Sequence, residues 1–296
     1  MNSYICALLF NGICRVSVPI FFMISGALIL EQTVNYKKSL KRTGDILIKT
    51  VVWSVIFIIW DFFYLAESYN FQLMFAVPVR VHFWFLYVMV GIYLTVPLWQ
   101  KLVSGASKEL VRYFSIVFIS VLGLIFVLTA LKMPSTYHIP LFGASAYAGY
   151  FIMGYIIRHY IDEIKIKKWI CALIIAGCAL ATDVFTLGAT LEEGSHIETF
   201  SDFKSVFIAV AAMTVFYLFM KMKEPKHRKW ITAISNHSFN IYMMHVFFLD
   251  IIQQNIDITK FTAWLGFPVF FVFLISASFG FSWIFEKAKG CRKLIF

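Results

Sequence analysis

Charge is scarce in this chain. Charged residues make up 14% of its 296 residues, hydrophobic residues make up 60%, and the mean hydropathy is +0.79. Soluble domains contain roughly 25% charged and about 45–50% apolar residues. Apolar segments recur from end to end, and no polar stretch is long enough for a soluble domain. The sequence therefore predicts an all-α, polytopic integral membrane bundle that forms one domain over residues 1–296.

Familiar chemical motifs are also absent. The five cysteines have neither a disulfide pattern nor the spacing of a zinc site, and there is no Walker loop or Gly-x-Ser-x-Gly elbow. We therefore expect no bound metal and no permanently bound cofactor. The net charge of +10 is compatible with nucleic-acid binding, but the basic residues lie between apolar segments instead of forming one patch. Membrane topology explains this distribution better.

Nine apolar segments approach the roughly 20 residues that a helix needs to cross a bilayer. We predict transmembrane helices at 16–30, 46–65, 82–103, 111–131, 141–157, 169–187, 203–220, 238–254 and 263–285. The first is short, and it can extend back through Cys14 and Arg15 if the arginine reaches the membrane surface. The sequence thus predicts nine spans.

Basic residues alternate between the connections. Lysine and arginine cluster after the first, third, fifth, seventh and ninth spans, whereas the other connections contain only Arg15, Arg80, Lys132 and Lys260. Cytoplasmic connections carry the excess of these residues. This pattern predicts an external N-terminus and a cytoplasmic C-terminus.

Few ionisable residues fall within the predicted spans. His245 lies near mid-membrane, Asp61, Asp183 and Asp250 lie in the outer parts of their helices, and His82 begins a helix at the outer face. Such residues are costly in a membrane and often functional, so together they indicate a polar cavity that opens outward. Alternatively, hydration or a neighbouring helix satisfies each of them. His245 is the strongest candidate because it is deepest and exchanges a proton near neutral pH.

A basic cluster follows the first predicted span. It contains Lys38, Lys41 and Arg42, with Lys49 one or two turns into the next helix. Such a cluster is suited to the phosphates of a cytoplasmic donor such as coenzyme A. The alternative is that it reflects membrane topology alone, since cytoplasmic connections are basic in any case.

Three segments carry a family resemblance. They are RVSVPIFFMISG at 15–26, HFWFLY at 82–87 continuing through GIYL to Pro97, and ISNHSFNIYMMH at 234–245. In combination they resemble the membrane acyltransferase-3 family. Within that family they are most similar to the cell-envelope polysaccharide O-acetyltransferases, of which the enterobacterial common antigen O-acetyltransferase is an example.

The resemblance implies a fold of ten helices with both termini in the cytoplasm. The family's first helix carries a basic residue and, about three turns later, a histidine considered essential for acyl transfer. This sequence begins beyond that point, so nine spans agree with a ten-helix fold that lacks its first helix. No residue here matches that histidine, and His245 corresponds to a different family motif.

The implied activity is transfer of an acetyl group from acetyl-CoA to a hydroxyl of an envelope polysaccharide or lipid-linked sugar, in the bacterial inner membrane. The donor's phosphates would bind Lys38, Lys41, Arg42 and Lys49. The candidate catalytic residues are His245, Tyr242 and His82, with His245 and Tyr242 lining the inner part of the passage. The candidate acceptor-binding residues are Arg15, Trp84, Asp61 and Asp250.

Two other functions fit the sequence. Histidine and aspartates within several helices also suit a transporter or exporter of a lipid-linked sugar or another small molecule. An inactive, truncated family member is the third possibility. Only the first function consumes acetyl-CoA.

Overall fold

The computed structural model describes residues 2–67, 69, 77–132, 146–223 and 228–287. Within these ranges the chain forms ten α-helices and no strand. The helices are α1 (Asn2–Cys14), α2 (Ser17–Ile29), α3 (Tyr36–Trp60), α4 (Trp84–Ser104), α5 (Lys108–Ala130), α6 (Ala146–His159), α7 (Lys168–Glu193), α8 (Val206–Met220), α9 (Arg228–Asn255) and α10 (Ala263–Lys287). The prediction of an all-α membrane bundle is confirmed.

Seven helical segments of the described residues are long and apolar enough to cross a membrane. The two predicted spans outside this set are α6 and α9. The α6 helix has 14 residues, and the first part of its predicted span, 141–145, lies outside the described residues. The α9 helix has 28 residues but carries polar side chains along its length. Its low hydropathy therefore reflects polar clusters that the helix contributes to the protein interior.

The first predicted span, 16–30, is too short. The helical segment runs from Ser3 to Ile29 and is interrupted only at Arg15 and Val16, between α1 and α2. Pro19 explains the interruption, because proline cannot donate to the carbonyl four residues earlier, here that of Arg15, and its ring crowds that oxygen. The polar Asn11 and Arg15 obscured this helix in the sequence, yet they satisfy each other: Arg15 Nε donates to Asn11 Oδ1 at 2.9 Å.

The helices group into two compact units. Unit 1 comprises Met1–Asn35 and Thr95–Lys223, and unit 2 comprises Tyr36–Leu94 and Glu224–Phe296. In unit 1, α2 and α6 run parallel, since Phe22 contacts Tyr147 near one end and Glu31 pairs with Arg158 at the other. Gly26 and Gly154 lie where these helices cross, and a Cβ on either would collide with the backbone of Phe151 or Met23. Glycine is therefore required at this close approach.

Unit 2 contains α3, the first half of α4, α9 and α10. The α3 and α9 helices run parallel, because Lys49 contacts Phe239 and, closer to the C-terminal ends of both helices, Trp60 contacts Asp250. The α10 helix runs antiparallel to α9, with His237 beside Ser282 and Phe248 beside Phe273. These directions agree with the alternation predicted from the connections.

A proline within α4 shapes the contact between α3 and α4. Pro97 removes the hydrogen bond that the carbonyl of Tyr93 would otherwise accept. The Ser39 hydroxyl donates to this carbonyl instead, at 2.7 Å, and Ser39 itself is buried. Ser39 therefore replaces the hydrogen bond that Pro97 removes. This contact joins α3 to α4.

Candidate active site

Three predicted catalytic residues come together in unit 2. The ring centroid of His82 lies 5.7 Å from that of His245 and 5.6 Å from that of Tyr242, and the rings of Tyr242 and His245 are 5.8 Å apart. His82 lies in a short 3₁₀ turn, Val81–Phe83, that leads into α4, whereas the other two belong to α9. Segments separated by about 160 residues thus form one cluster.

Hydrogen bonds define the roles available to these rings. His245 Nδ1 lies 2.6 Å from the carbonyl oxygen of Tyr242. A carbonyl only accepts, so this nitrogen carries the proton, and Nε2 of the neutral ring keeps its lone pair. The Tyr242 hydroxyl donates to the carbonyl of His82. His245 therefore has the form of a general base, while Tyr242 holds the backbone of His82.

The His82 ring is partly enclosed, and its Nε2 atom is buried without a hydrogen-bond partner among the described residues. Phe57 packs edge-on against this ring at 5.4 Å and stacks on Phe247 at 4.1 Å. The ring of Phe85 contacts the ring of Tyr242. Trp84 is half-buried at the start of α4, with its ring edge-on to Phe85. Apolar walls and an unpaired polar atom make this cluster suitable for a substrate group.

A charged cluster adjoins the histidines in the same unit. Arg80 Nη2 pairs with Asp61 Oδ1 and lies 3.0 Å from Asp250 Oδ2, which also accepts from Trp60 Nε1 at 3.0 Å. Asp61 begins a π-helical turn, Asp61–Leu65, that widens the end of α3. Such turns frequently occur at functional sites. The predicted acceptor residues Asp61 and Asp250 are therefore together, and Arg80 joins them.

The predicted phosphate-binding residues all lie on α3. The helix begins at Tyr36, ten residues before the predicted span, so Lys38, Lys41 and Arg42 are helical. Lys41, Arg42 and Lys49 follow Lys38 by three, four and eleven residues, spacings that bring all four to one side of the helix. Lys38 and Lys41 are exposed, Arg42 is half-buried, and Lys49 Nζ lies 4.8 Å from the ring centroid of Phe239. We call these four residues the basic face.

Arg15 belongs to unit 1, unlike the other predicted site residues. Its guanidinium lies 3.2 Å from Glu198 Oε2 and 5.3 Å from the ring centroid of Phe203. Asp183 is also in unit 1, close to the backbone of Gly12. The contacts of Arg15 explain how an arginine is accommodated in the first helical segment.

A second polar cluster lies nearer the N-terminal end of α9. His237 Nδ1 is 2.7 Å from Ser282 Oγ, and His237 Nε2 is 3.2 Å from Glu286 Oε2. Asn240 Nδ2 donates to the same serine at 3.2 Å. These bonds connect α9 to α10 and explain several polar residues that the sequence motif contained without a role. No group of three potential ligands in the described residues is arranged to hold a metal ion.

Sequence reasoning missed Arg80 and two phenylalanines: Phe57, which packs against His82, and Phe247, which stacks on Phe57. Arg80 was counted only as a cation of a connection, although its position two residues before His82 was a usable signal. Phe57 and Phe247 gave none, since 33 phenylalanines are distributed along the chain. Which of them touch His82 depends on how the helices pack.

The acyltransferase-3 family model, described as an acyltransferase domain, matches residues 3–287. No curated protein and no solved structure matches the chain.

Proposed function

Since the chain belongs to the membrane acyltransferase-3 family, we propose that it transfers an acetyl group from acetyl-CoA to a hydroxyl of an envelope glycan or lipid-linked sugar. Membership supports a membrane acyltransferase in general. The observation that supports our finer proposal most directly is the cluster of His82, Tyr242 and His245, which offers a base in a partly enclosed, apolar setting.

The basic face supports the choice of donor. Coenzyme A carries several phosphate charges, and the four cations of the basic face provide a complementary site near the N-terminal end of α3. Lys49 precedes Phe57, which contacts His82, by eight residues, or about 12 Å of helix rise. In our proposal the phosphates bind the basic face and the long thioester-bearing arm extends along α3 towards the histidines.

The reaction then needs a base for the attacking hydroxyl, and the proton must be returned to the leaving thiolate. His245 Nε2 accepts the proton of the attacking sugar hydroxyl, whose oxygen forms a bond to the thioester carbon while the carbon–sulfur bond breaks. The protonated imidazole is left to return that proton to the departing thiolate. If the Nε2 of His82 carries a proton, it can donate to the oxyanion that develops on the thioester carbonyl. No covalent enzyme intermediate is required.

The connections support an orientation for this reaction. The basic face lies at the end of α3 that the positive connections assign to the cytoplasm, where acetyl-CoA is made. Asp61, Arg80 and Asp250 lie towards the opposite helix ends. We therefore propose a multi-pass protein of the bacterial inner membrane, with a cytoplasmic C-terminus and an acceptor site open to the outside.

Purified protein in sealed proteoliposomes tests the proposal. Acetyl-labelled acetyl-CoA is supplied on one side and a glycan acceptor on the other, and acetate on the glycan is measured by mass spectrometry. We expect acetylated glycan and an equal amount of free coenzyme A. Movement of the acceptor across the membrane without release of coenzyme A would instead show a transporter.

A further inference from the structure

The cluster beside His82 has more negative than positive charge. Two carboxylates, Asp61 and Asp250, share the single guanidinium of Arg80. Glu67 follows the π-helical turn, and its negative charge repels both carboxylates. Among the described residues that interact with these carboxylates, Arg80 is the one cation. The cluster therefore retains a net negative charge when its carboxylates are ionised.

The cluster also leaves hydrogen-bonding atoms unused. In the ion pairs with Arg80, Asp61 uses Oδ1 and Asp250 uses Oδ2, so each carboxylate keeps a second oxygen for a ligand, although only 8% of the Asp250 side chain is exposed. Arg80 Nε is buried and has no hydrogen-bond partner among the described residues. A ligand that satisfies this set must donate to carboxylate oxygens and accept from an N–H group. A hydroxyl group does both, whereas a carboxylate only accepts.

The position of the cluster connects it to the acceptor. Arg80 precedes His82 by two residues, and the Phe57 ring contacts both, with its centroid 5.5 Å from Arg80 Cζ and 5.4 Å from the His82 centroid. A sugar whose hydroxyl reaches the histidines would therefore place a neighbouring group near the carboxylates. An anionic group at that place would meet like charge, and a penalty of about 1.4 kcal/mol already lowers the affinity tenfold.

We infer that the Asp61–Arg80–Asp250 cluster selects a neutral, polyhydroxylated acceptor and rejects one with a carboxylate beside the reacting hydroxyl. This inference rests on the proposed function and specifies the substrate class of the same site. Rejection by like charge is a recognised source of specificity, since discrimination depends on the difference between two affinities.

Two matched acceptors test the inference: a glucose disaccharide, and the same disaccharide with glucuronic acid in place of one glucose. The ratio of kcat/KM for the neutral acceptor to that for the acidic acceptor is measured in proteoliposomes with acetyl-CoA. We expect a ratio of at least about ten, which decreases as salt is added because ions screen the repulsion. Asp250→Asn and Asp61→Asn should each lower the ratio. Asp257→Asn, at an exposed aspartate after α9, should leave it unchanged.

The possible failures are distinguishable. Equal use of both acceptors by the unaltered protein, or a ratio that neither salt nor the two asparagine variants change, would overturn the inference alone. If neither acceptor is acetylated and envelope glycan is not acetylated either, the proposed function falls and the inference falls with it. The salt series needs no variant, so it remains decisive even if an asparagine variant fails to fold.

Discussion

At the scale of single residues, the hydroxyl of Tyr242 holds the two parts of the histidine cluster together. It donates to the carbonyl of His82 and thereby joins α9 to the turn before α4. Removing it with Tyr242→Phe should reduce kcat about tenfold, because one buried hydrogen bond contributes about 1–1.5 kcal/mol. Tyr87→Phe, at an exposed tyrosine of α4, is the matched control. Equal activity of both variants would show that the bond does not position His82.

The loss of Arg80 should harm stability because it is the shared partner of two carboxylates. Its side chain is 19% exposed, and those of Asp61 and Asp250 are 11% and 8% exposed. Arg80→Gln leaves two carboxylates without a cation and should lower the free energy of unfolding by about 3 kcal/mol, as expected for a broken buried ion pair. Thermal unfolding in detergent measures the effect.

An exposed pair provides the comparison for Arg80. Lys132 pairs with Glu192, and both side chains are more than half exposed, so Lys132→Gln should cost at most about 1 kcal/mol. Adding Asp250→Asn to Arg80→Gln should recover part of the lost stability, since one unpaired charge is removed. A double variant as unstable as the sum of its parts would contradict the account of this cluster.

At the scale of helices, Ser39 compensates for a proline on another helix. Its hydroxyl occupies the carbonyl of Tyr93, which Pro97 leaves without its helical donor. Ser39→Ala should therefore destabilise the protein by about 1–3 kcal/mol, the cost of a buried, unsatisfied carbonyl. Ser115→Ala is the control, because the Ser115 hydroxyl bonds a carbonyl of its own helix that keeps its backbone donor. The difference between the two unfolding midpoints is the measurement.

The crossing of α2 and α6 depends on two glycines. A methyl group at Gly26 or Gly154 would overlap the backbone of the facing helix, which has no side chain that can move aside. Gly154→Ala should therefore cost about 1–3 kcal/mol or more, as overpacking does. Gly123→Ala and Gly177→Ala, on α5 and α7, meet no atom within 4 Å and should be tolerated. Equal melting of all three variants would contradict the close crossing.

Helix boundaries show which parts of the fold were predictable. Apolar length located the seven segments of the described residues that are long and apolar enough to cross a membrane, but the bounds differed wherever polar residues continue a helix. The basic face of α3 is helical although it resembles a connection, and α1 contains Asn11 and Arg15, which bond each other. Hydropathy cannot register such local pairing. It also could not show that the Ser39 hydroxyl donates to the carbonyl that loses its helical donor at Pro97.

At the scale of the whole molecule, the fold class followed from composition, whereas the site required packing. His82 and His245 were identified singly, from their positions in the spans and motifs, and the structure places their rings 5.7 Å apart. The position of Arg80 two residues before His82 was a signal, but its ion pairs were not predictable because they depend on two aspartates from other helices. Asp61 and Asp250 were expected near an outward cavity. The structure adds that both carboxylates pair with Arg80.

Of the long helices that the structure describes, α9 is the least apolar, and the contacts of its polar residues explain why. It carries His237, His245 and Asp250 in succession, and each contacts a different segment: α10, the turn before α4, and Arg80 with α3. Intramembrane polar residues of this kind are costly and are retained where they function. In our account, α9 is the helix along which donor and acceptor meet.

The central claim is that His245, beside His82, serves as the base for acetyl transfer. The most direct test is the rate of acetyl transfer from labelled acetyl-CoA by His245→Ala in proteoliposomes, compared with the unaltered protein. His159→Ala, at an exposed histidine of α6, is the matched control. We predict a loss of about 10²–10⁴-fold for His245→Ala, the usual contribution of a general base, and full activity for His159→Ala. Full acetylation by a correctly folded His245→Ala protein would contradict the claim.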